Sequence, residues 1–178
     1  MKTVVLTSAV LSSILALSAI QTASAANVTA QAKLAPTANS KTSGLVTFEQ
    51  MADGVRVKAK VEGLTPGLHG FHIHDKGACS APDGSSAGGH FNPTSAPHGD
   101  PSHSAKHSGD FGNITADDKG VATLDVKVPL SQLTLTEGSP VNALNRGVIV
   151  HTAPDDLKTQ PTGNAGGRLA CGVITAAK

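Results

Sequence analysis

The sequence predicts an all-β domain, a sandwich or barrel of short strands carrying two long functional loops. Three observations predict it. Short segments alternate apolar and polar residues with a period of two, the pattern of half-buried strands. Gly, Asp, Asn and Pro punctuate these segments, and no stretch beyond the first 25 residues carries a helical apolar stripe. Two segments break the rhythm, Lys76 to about Ser108 and Thr152 to Gly167. Loops of that length in a small domain are usually functional or disordered.

The chain opens with a segment that reads as separate from the folded domain. Lys2 gives a positive start, an apolar run follows from Val4 to Ile20, and Ala23-Ser24-Ala25 offers small residues for cleavage. Residues 1–25 therefore read as a secretory signal peptide, and residues 26–178 as one domain. The alternative, a membrane anchor, is weakened by Thr7, Ser8, Ser12, Ser13 and Ser18 within the run.

Asn27 to Leu34 alternates, and Gly44 to Met51 carries Leu45, Thr47 and Phe48 before Asp53-Gly54. Val55 to Val61 places Val and Ala on one face and Arg56, Lys58 and Lys60 on the other, so Asp53-Gly54 reads as a hairpin turn. A second hairpin is expected around Asp118-Lys119-Gly120, between Phe111–Thr115 and Val121–Val128. Late strands are expected at Gly147–His151 and Arg168–Ile174.

Composition excludes some classes. Net charge is +1 over 178 residues, with no Trp or Tyr and only four Phe. Stacking on nucleic-acid bases needs aromatics, so no nucleic-acid partner is expected. No second apolar run is long enough to span a bilayer, so no membrane partner is expected either. The two cysteines, Cys79 and Cys171, read as a disulfide in an exported protein, with buried free thiols as the alternative.

The chemistry is carried by histidine, of which there are eight. In Gly70-Phe71-His72-Ile73-His74, strand alternation turns both imidazoles to one face and Phe71 and Ile73 to the other. Imidazoles at i and i+2 suit copper or zinc, although such a pair is weak evidence alone. The first long loop adds His90, His98, His107 and Asp110, and three histidines with a carboxylate suit a closed tetrahedral zinc site. His151 ends an apolar strand. Seven candidate ligands suggest two metals. His69 falls on the opposite strand face from His72 and reads as a buried structural histidine. His103 reads as a solvated loop histidine, and stands with Asp100 as an alternative zinc ligand.

Four segments carry a family resemblance: Gly67-Leu68-His69-Gly70-Phe71-His72-Ile73-His74, Gly88-Gly89-His90-Phe91-Asn92-Pro93, His107-Ser108-Gly109-Asp110, and Gly163-Asn164-Ala165-Gly166-Gly167-Arg168-Leu169-Ala170-Cys171-Gly172-Val173. Together they resemble the Cu,Zn superoxide dismutase family, and Asp75-Lys76-Gly77-Ala78-Cys79 resembles its secreted or periplasmic bacterial branch. The resemblance implies an eight-stranded antiparallel Greek-key β-barrel, an immunoglobulin-like sandwich in architecture. It implies one copper and one zinc ion per subunit, with superoxide as the substrate. His72, His74, His90 and His151 are the implied copper ligands. His90, His98, His107 and Asp110 are the implied zinc ligands, with His90 bridging. Asp155 matches a carboxylate that orients His72 and His98. Arg168 matches an arginine that draws superoxide toward copper, and Cys79–Cys171 matches the family disulfide. A homodimer is expected, with the monomer as the alternative.

The second long loop departs from the animal and plant members. It lacks the acidic and lysine run that steers substrate there. Lys158 and Lys106 are the substitutes, each with the alternative of an ordinary solvated lysine. Two rival functions remain. A non-catalytic metal-binding protein of the same fold should lack a ligand or the arginine. An adhesion module would not need three histidines and an aspartate in one loop.

Overall fold

In the computed structural model, residues 28–177 are described, and the leader read over residues 1–25 lies outside them. The strands are β1 (Thr29–Pro36), β2 (Ser43–Met51), β3 (Gly54–Glu62), β4 (Gly67–His74), β5 (Asp110–Ala116), β6 (Ala122–Val128), β7 (Gly147–His151), β8 (Arg168–Val173) and a short β9 (Thr175–Ala176). The one helical element among the described residues is a 3-10 turn at Ser85–Ala87.

Each strand pair is antiparallel, in the order β1-β2-β3-β6-β5-β4-β7-β8, and β8 pairs back to β1. The eight strands therefore close a barrel, and β9 adds to β1 outside that circuit. Closure leaves few free strand edges for another chain to pair with. The reversal of β4, β5 and β6 between β3 and β7 requires two crossovers, the mark of a Greek key.

The alternation reads directly onto burial. In β3, Val55, Val57, Ala59 and Val61 point inward while Arg56, Lys58 and Lys60 point to solvent. The Asp53-Gly54 turn pairs Met51 with Gly54 and sets the register down to Ser43 opposite Glu62. The core gathers Phe48, Phe71, Ile73, Phe91, Ile114 and Ile174, each at most 2% exposed.

Two features differ from the sequence-based expectation. The turn at Asp117–Gly120 forms, with Asp117 Oδ1 accepting from the Lys119 and Val121 amides. It does not make a full hairpin, because β5 and β6 pair only at Ala116 opposite Ala122. β6 instead pairs with β3 along Val55–Val61, so the turn is a barrel corner. The second difference is a third long connection, residues 129–146, between β6 and β7. It buries Leu133, Leu135, Val141 and Ala143 and is held by paired hydrogen bonds between Thr134 and Val141 and between Ala143 and Thr134.

β4 is the strand that positions the site. It is buried continuously from His69 to His74. Phe71 and Ile73 enter the barrel core, while the outer face carrying His72 and His74 lies under the two long loops. The first loop is pinned to the strand by Ile73, whose amide donates to Gly109 O at 3.0 Å and whose carbonyl accepts from the Phe91 amide at 2.9 Å. A Cβ on Gly109 would overlap the Ile73 carbonyl, so only glycine allows this approach.

Candidate metal centre

Two clusters of buried ligand-type side chains meet on the outer face of β4. His72, His74, His90 and His151 form one, and His90, His98, His107 and Asp110 form the other. In each, one ligand atom per residue lies within 4.8 Å of all the others. β4 supplies His72 and His74, β7 supplies His151, and the first long loop supplies His90, His98 and His107, with Asp110 opening β5. His90 belongs to both clusters, and its ring centroid lies 4.0 Å from that of His72 and 5.3 Å from that of His98.

Hydrogen bonds sort the ring nitrogens. His72 donates from Nε2 to Asp155 Oδ2 at 2.8 Å, and His98 from Nε2 to Asp155 Oδ1 at 2.9 Å. His74 donates from Nδ1 to Gly88 O at 2.8 Å, and His151 from Nδ1 to Gly166 O at 3.3 Å. What is left turns inward. His72 Nδ1, His90 Nε2, His98 Nδ1 and His107 Nδ1 are buried without a hydrogen-bond partner. His74 Nε2 and His151 Nε2 face each other at 3.3 Å.

A buried polar atom without a partner is costly, and four of them aimed at two common centres need an explanation. A bound cation supplies it. Asp110 Oδ1 lies 2.7, 3.0 and 3.2 Å from the Nδ1 atoms of His90, His98 and His107. Bond lengths of about 2.0–2.1 Å to a tetrahedral zinc ion put its ligand atoms about 3.3 Å apart, close to these separations. The cluster of His72, His74, His90 and His151 is all imidazole, a donor set that suits copper. The residues therefore fit both metals.

Electrostatics favours the metal-ready protonation states. Burial, reinforced by His90 and His151 nearby, pushes His72 well below the usual histidine range. Burial and His90 do the same to His74. Burial lowers His151 to about 4 and lowers His107 as well. Burial alone would raise Asp110, but hydrogen bonds from His90 and from the His107 amide hold it well below the carboxylate range. Neutral imidazoles and an ionised carboxylate are the forms that bind cations.

Arg168 opens β8 at the rim. Its Nη1 donates to Gly84 O at 2.7 Å and its Nη2 to Gly88 O at 2.6 Å. Burial lowers its pKa, against Asp83, which raises it, and an arginine side chain keeps its charge in proteins. Arg168, Asp83, Ser85 and Gly167 line an open hollow of about 480 Å³. Cys79 and Cys171 form a disulfide that ties this part of the first loop to β8, with 5.7 Å between Cα atoms.

The remaining candidates fall outside the clusters. His69 is buried, with Nδ1 2.8 Å from His151 O and Nε2 2.9 Å from Thr65 O. His103 and Asp100 are outside both clusters, and Asp100 instead accepts from Ser102. Lys158 is exposed. Lys106 is not a solvated surface lysine. It is buried with Nζ 3.3 Å from His107 O.

Two side chains that sequence reasoning missed brace the site. Asn113 on β5 donates to Asp155 O at 2.9 Å and accepts from the Asp155 amide at 2.7 Å. Gln160 makes the matching pair with the main chain of His98. Asn113 carries a faint signal, because asparagine is disfavoured within a strand unless its carboxamide is used. Gln160 sits in a loop, where a polar residue gives no signal.

Residues 42–174 match the family described as copper/zinc superoxide dismutase. The chain is 44% identical over 137 residues to a Cu-Zn superoxide dismutase of Caulobacter vibrioides, covering 75% of this chain and 79% of that one. It is 43% identical over 145 residues to an extracellular Cu-Zn superoxide dismutase of Drosophila melanogaster, covering 76% and 77%. Among solved structures, the crystal structure of the clock protein EA4 is similar with a TM-score of 0.74 and 38% identity, over 84% of this chain and 94% of that one.

Proposed function

The chain belongs to the copper/zinc superoxide dismutase family, and from that premise we propose that it converts superoxide to dioxygen and hydrogen peroxide, with copper held by His72, His74, His90 and His151 and zinc by His90, His98, His107 and Asp110. The observation that carries this reading is the sharing of one imidazole, His90, between two buried clusters whose inward nitrogens have no protein partner.

Copper, when bound, supplies the one-electron redox change that takes one superoxide to dioxygen and a second, with two protons, to hydrogen peroxide, whereas zinc has no redox change to offer. The chain's own residues do the rest. His90 turns Nδ1 to Asp110 at 2.7 Å and leaves Nε2 buried without a protein partner, so it would be the ligand shared by the two metals and, through Nε2, the group placed to relay a proton. Asp155, accepting from His72 and His98 together, aims one ligand of each set. Arg168 spends only two of its five N–H donors on Gly84 and Gly88, so its charge and remaining donors are available to a small anion.

Export is part of the same reading. A leader cleaved near Ala25 would deliver the mature chain to the periplasm or the medium, where the Cys79–Cys171 disulfide is stable. The extracellular relative from Drosophila supports it. We propose a homodimer, with the monomer as the alternative, and sedimentation of the mature protein distinguishes the two.

Metal analysis of purified protein with a dismutation assay tests the whole reading. About one copper and one zinc per chain are expected, with activity lost on chelation and restored by copper plus zinc. Protein without stoichiometric metal, or fully loaded protein without activity, would overturn it.

A further inference from the structure

The second long loop meets the first at His98, by two routes. The first is the Asp155 carboxylate on the His98 ring. The second uses the side chain of Gln160. Its Oε1 accepts from the His98 amide at 2.8 Å, and its Nε2 donates to the His98 carbonyl at 2.8 Å. The same Nε2 lies 3.2 Å from Lys158 O, within its own loop. One carboxamide thus engages both main-chain polar groups of a single residue and fixes the peptide planes on either side of it.

Those planes matter because His98 has only two side-chain torsions between its Cα and the Nδ1 atom that faces Asp110. The ring is held at Nε2 by Asp155, and Asp155 is itself held at its main chain by Asn113. Ring and backbone of His98 are therefore fixed from two positions of one loop. Its neighbour Gly99 donates its amide to Asp110 Oδ2 at 3.1 Å, so a shift at His98 is passed to the carboxylate of the same cluster. Among the described residues, no hydrogen bond of this kind ties His90 or His107 to the second loop, which makes His98 the first-loop ligand through which the two loops communicate.

We propose that Gln160 is a positioning residue for the zinc-side cluster. By clamping the His98 main chain it sets the direction of His98 Nδ1, and it makes metal binding there and closure of the second loop one coupled event. The inference rests on the metal assignment above. Coupling of this kind is reciprocal: metal at the cluster orders the loop over residues 156–163, and an ordered loop tightens the metal. Gln160 is itself exposed, so the effect is that of an ordinary neutral hydrogen-bond pair.

The test compares the mature wild type with Gln160→Ala and Gln160→Glu. Zinc affinity is measured by chelator competition, Co(II) at the zinc-side cluster is followed by its visible spectrum, and amide exchange is followed at Asp156 and Gly163 with and without zinc. Gln160→Ala should weaken zinc about threefold to tenfold, shift the Co(II) bands, and abolish the zinc-dependent part of protection at Asp156 and Gly163. Copper affinity should change less than about twofold. Gln160→Glu keeps the acceptor for the His98 amide but turns its second carboxylate oxygen toward the His98 and Lys158 carbonyls, so it should weaken zinc at least as much as Gln160→Ala. Unchanged zinc affinity, Co(II) bands and exchange in Gln160→Ala would overturn the proposal. Equal weakening of copper and zinc would overturn it too, since that marks general loosening. A wild type that takes up no zinc would sink the parent metal reading, an outcome visible without either variant.

Discussion

Arg168 and Asp83 show what single charges can do at the mouth of this site. Both line the same hollow, and the carbonyl of Gly84, next to Asp83, anchors the guanidinium. Asp83 is exposed and Arg168 half-buried, and an acidic group beside the guanidinium partly cancels the field that an approaching anion feels. Arg168→Ala should lower the second-order rate of superoxide consumption about tenfold and flatten its salt dependence, with copper and zinc content intact. Asp83→Asn should do the opposite. Asparagine can still accept from the Ser85 amide, which Asp83 Oδ1 does at 2.9 Å, so the turn survives while the charge goes. A rate up to about twofold higher at low salt, converging on wild type at high salt, is expected from stopped-flow assays. An Asp83→Asn rate at or below wild type would show that Asp83 does not oppose anion capture.

At the scale of elements, the second loop depends on a glycine. Gly163 has φ +66°, and a Cβ there would overlap the Asp155 carboxylate and the His98 ring. Gly163→Ala should therefore displace the hydrogen bond between Asp155 and His98 and weaken zinc more than Gln160→Ala does, which chelator competition would reveal. The sequence made much of this region legible, but unevenly. Alternation in Val55–Val61 and in Phe71–His74 is local, so those strands and their faces could be read from neighbours in the chain. Histidine is scarce enough that its clustering in one loop pointed to metal before any geometry was known. The corner at Asp117–Gly120 could not be read, because a barrel corner and a hairpin share the same turn chemistry and differ only in which distant strand pairs with β6. The 129–146 connection was equally opaque. Its apolar residues Leu133, Leu135 and Ala143 join a core set by strands far away in sequence. The roles of the ring nitrogens and of Gln160 are likewise tertiary facts.

For the molecule as a whole, acid should act through the site before it acts elsewhere. The folded pKa of His151 lies at about 4, and those of His72, His74 and His107 are also lowered, against about 6.5 for an unfolded histidine. Folding thus disfavours their protonation. The stability associated with keeping them neutral is complete above about pH 6.5 and is lost progressively as pH falls through the folded values. Metal-free protein should lose a few kcal/mol between about pH 6.5 and 4 in denaturant titrations, and flat stability across that range would contradict the burial argument. The disulfide acts at the same scale. It links positions 92 residues apart, so replacing both Cys79 and Cys171 by Ala should remove about 4–5 kcal/mol by loop-closure entropy and lower the melting temperature on the order of 10 °C in calorimetry. One smaller feature bears on function in another way. The carbonyl of Gly88 accepts both from His74 Nδ1 and from Arg168 Nη2. A single oxygen thus serves as the common datum for His74, a proposed copper ligand, and for Arg168, the proposed anion receptor. When the loop breathes, both groups are carried by the same displacement. Their errors are correlated and largely cancel in the distance between them, so the receptor stays in alignment even though it rides on a loop.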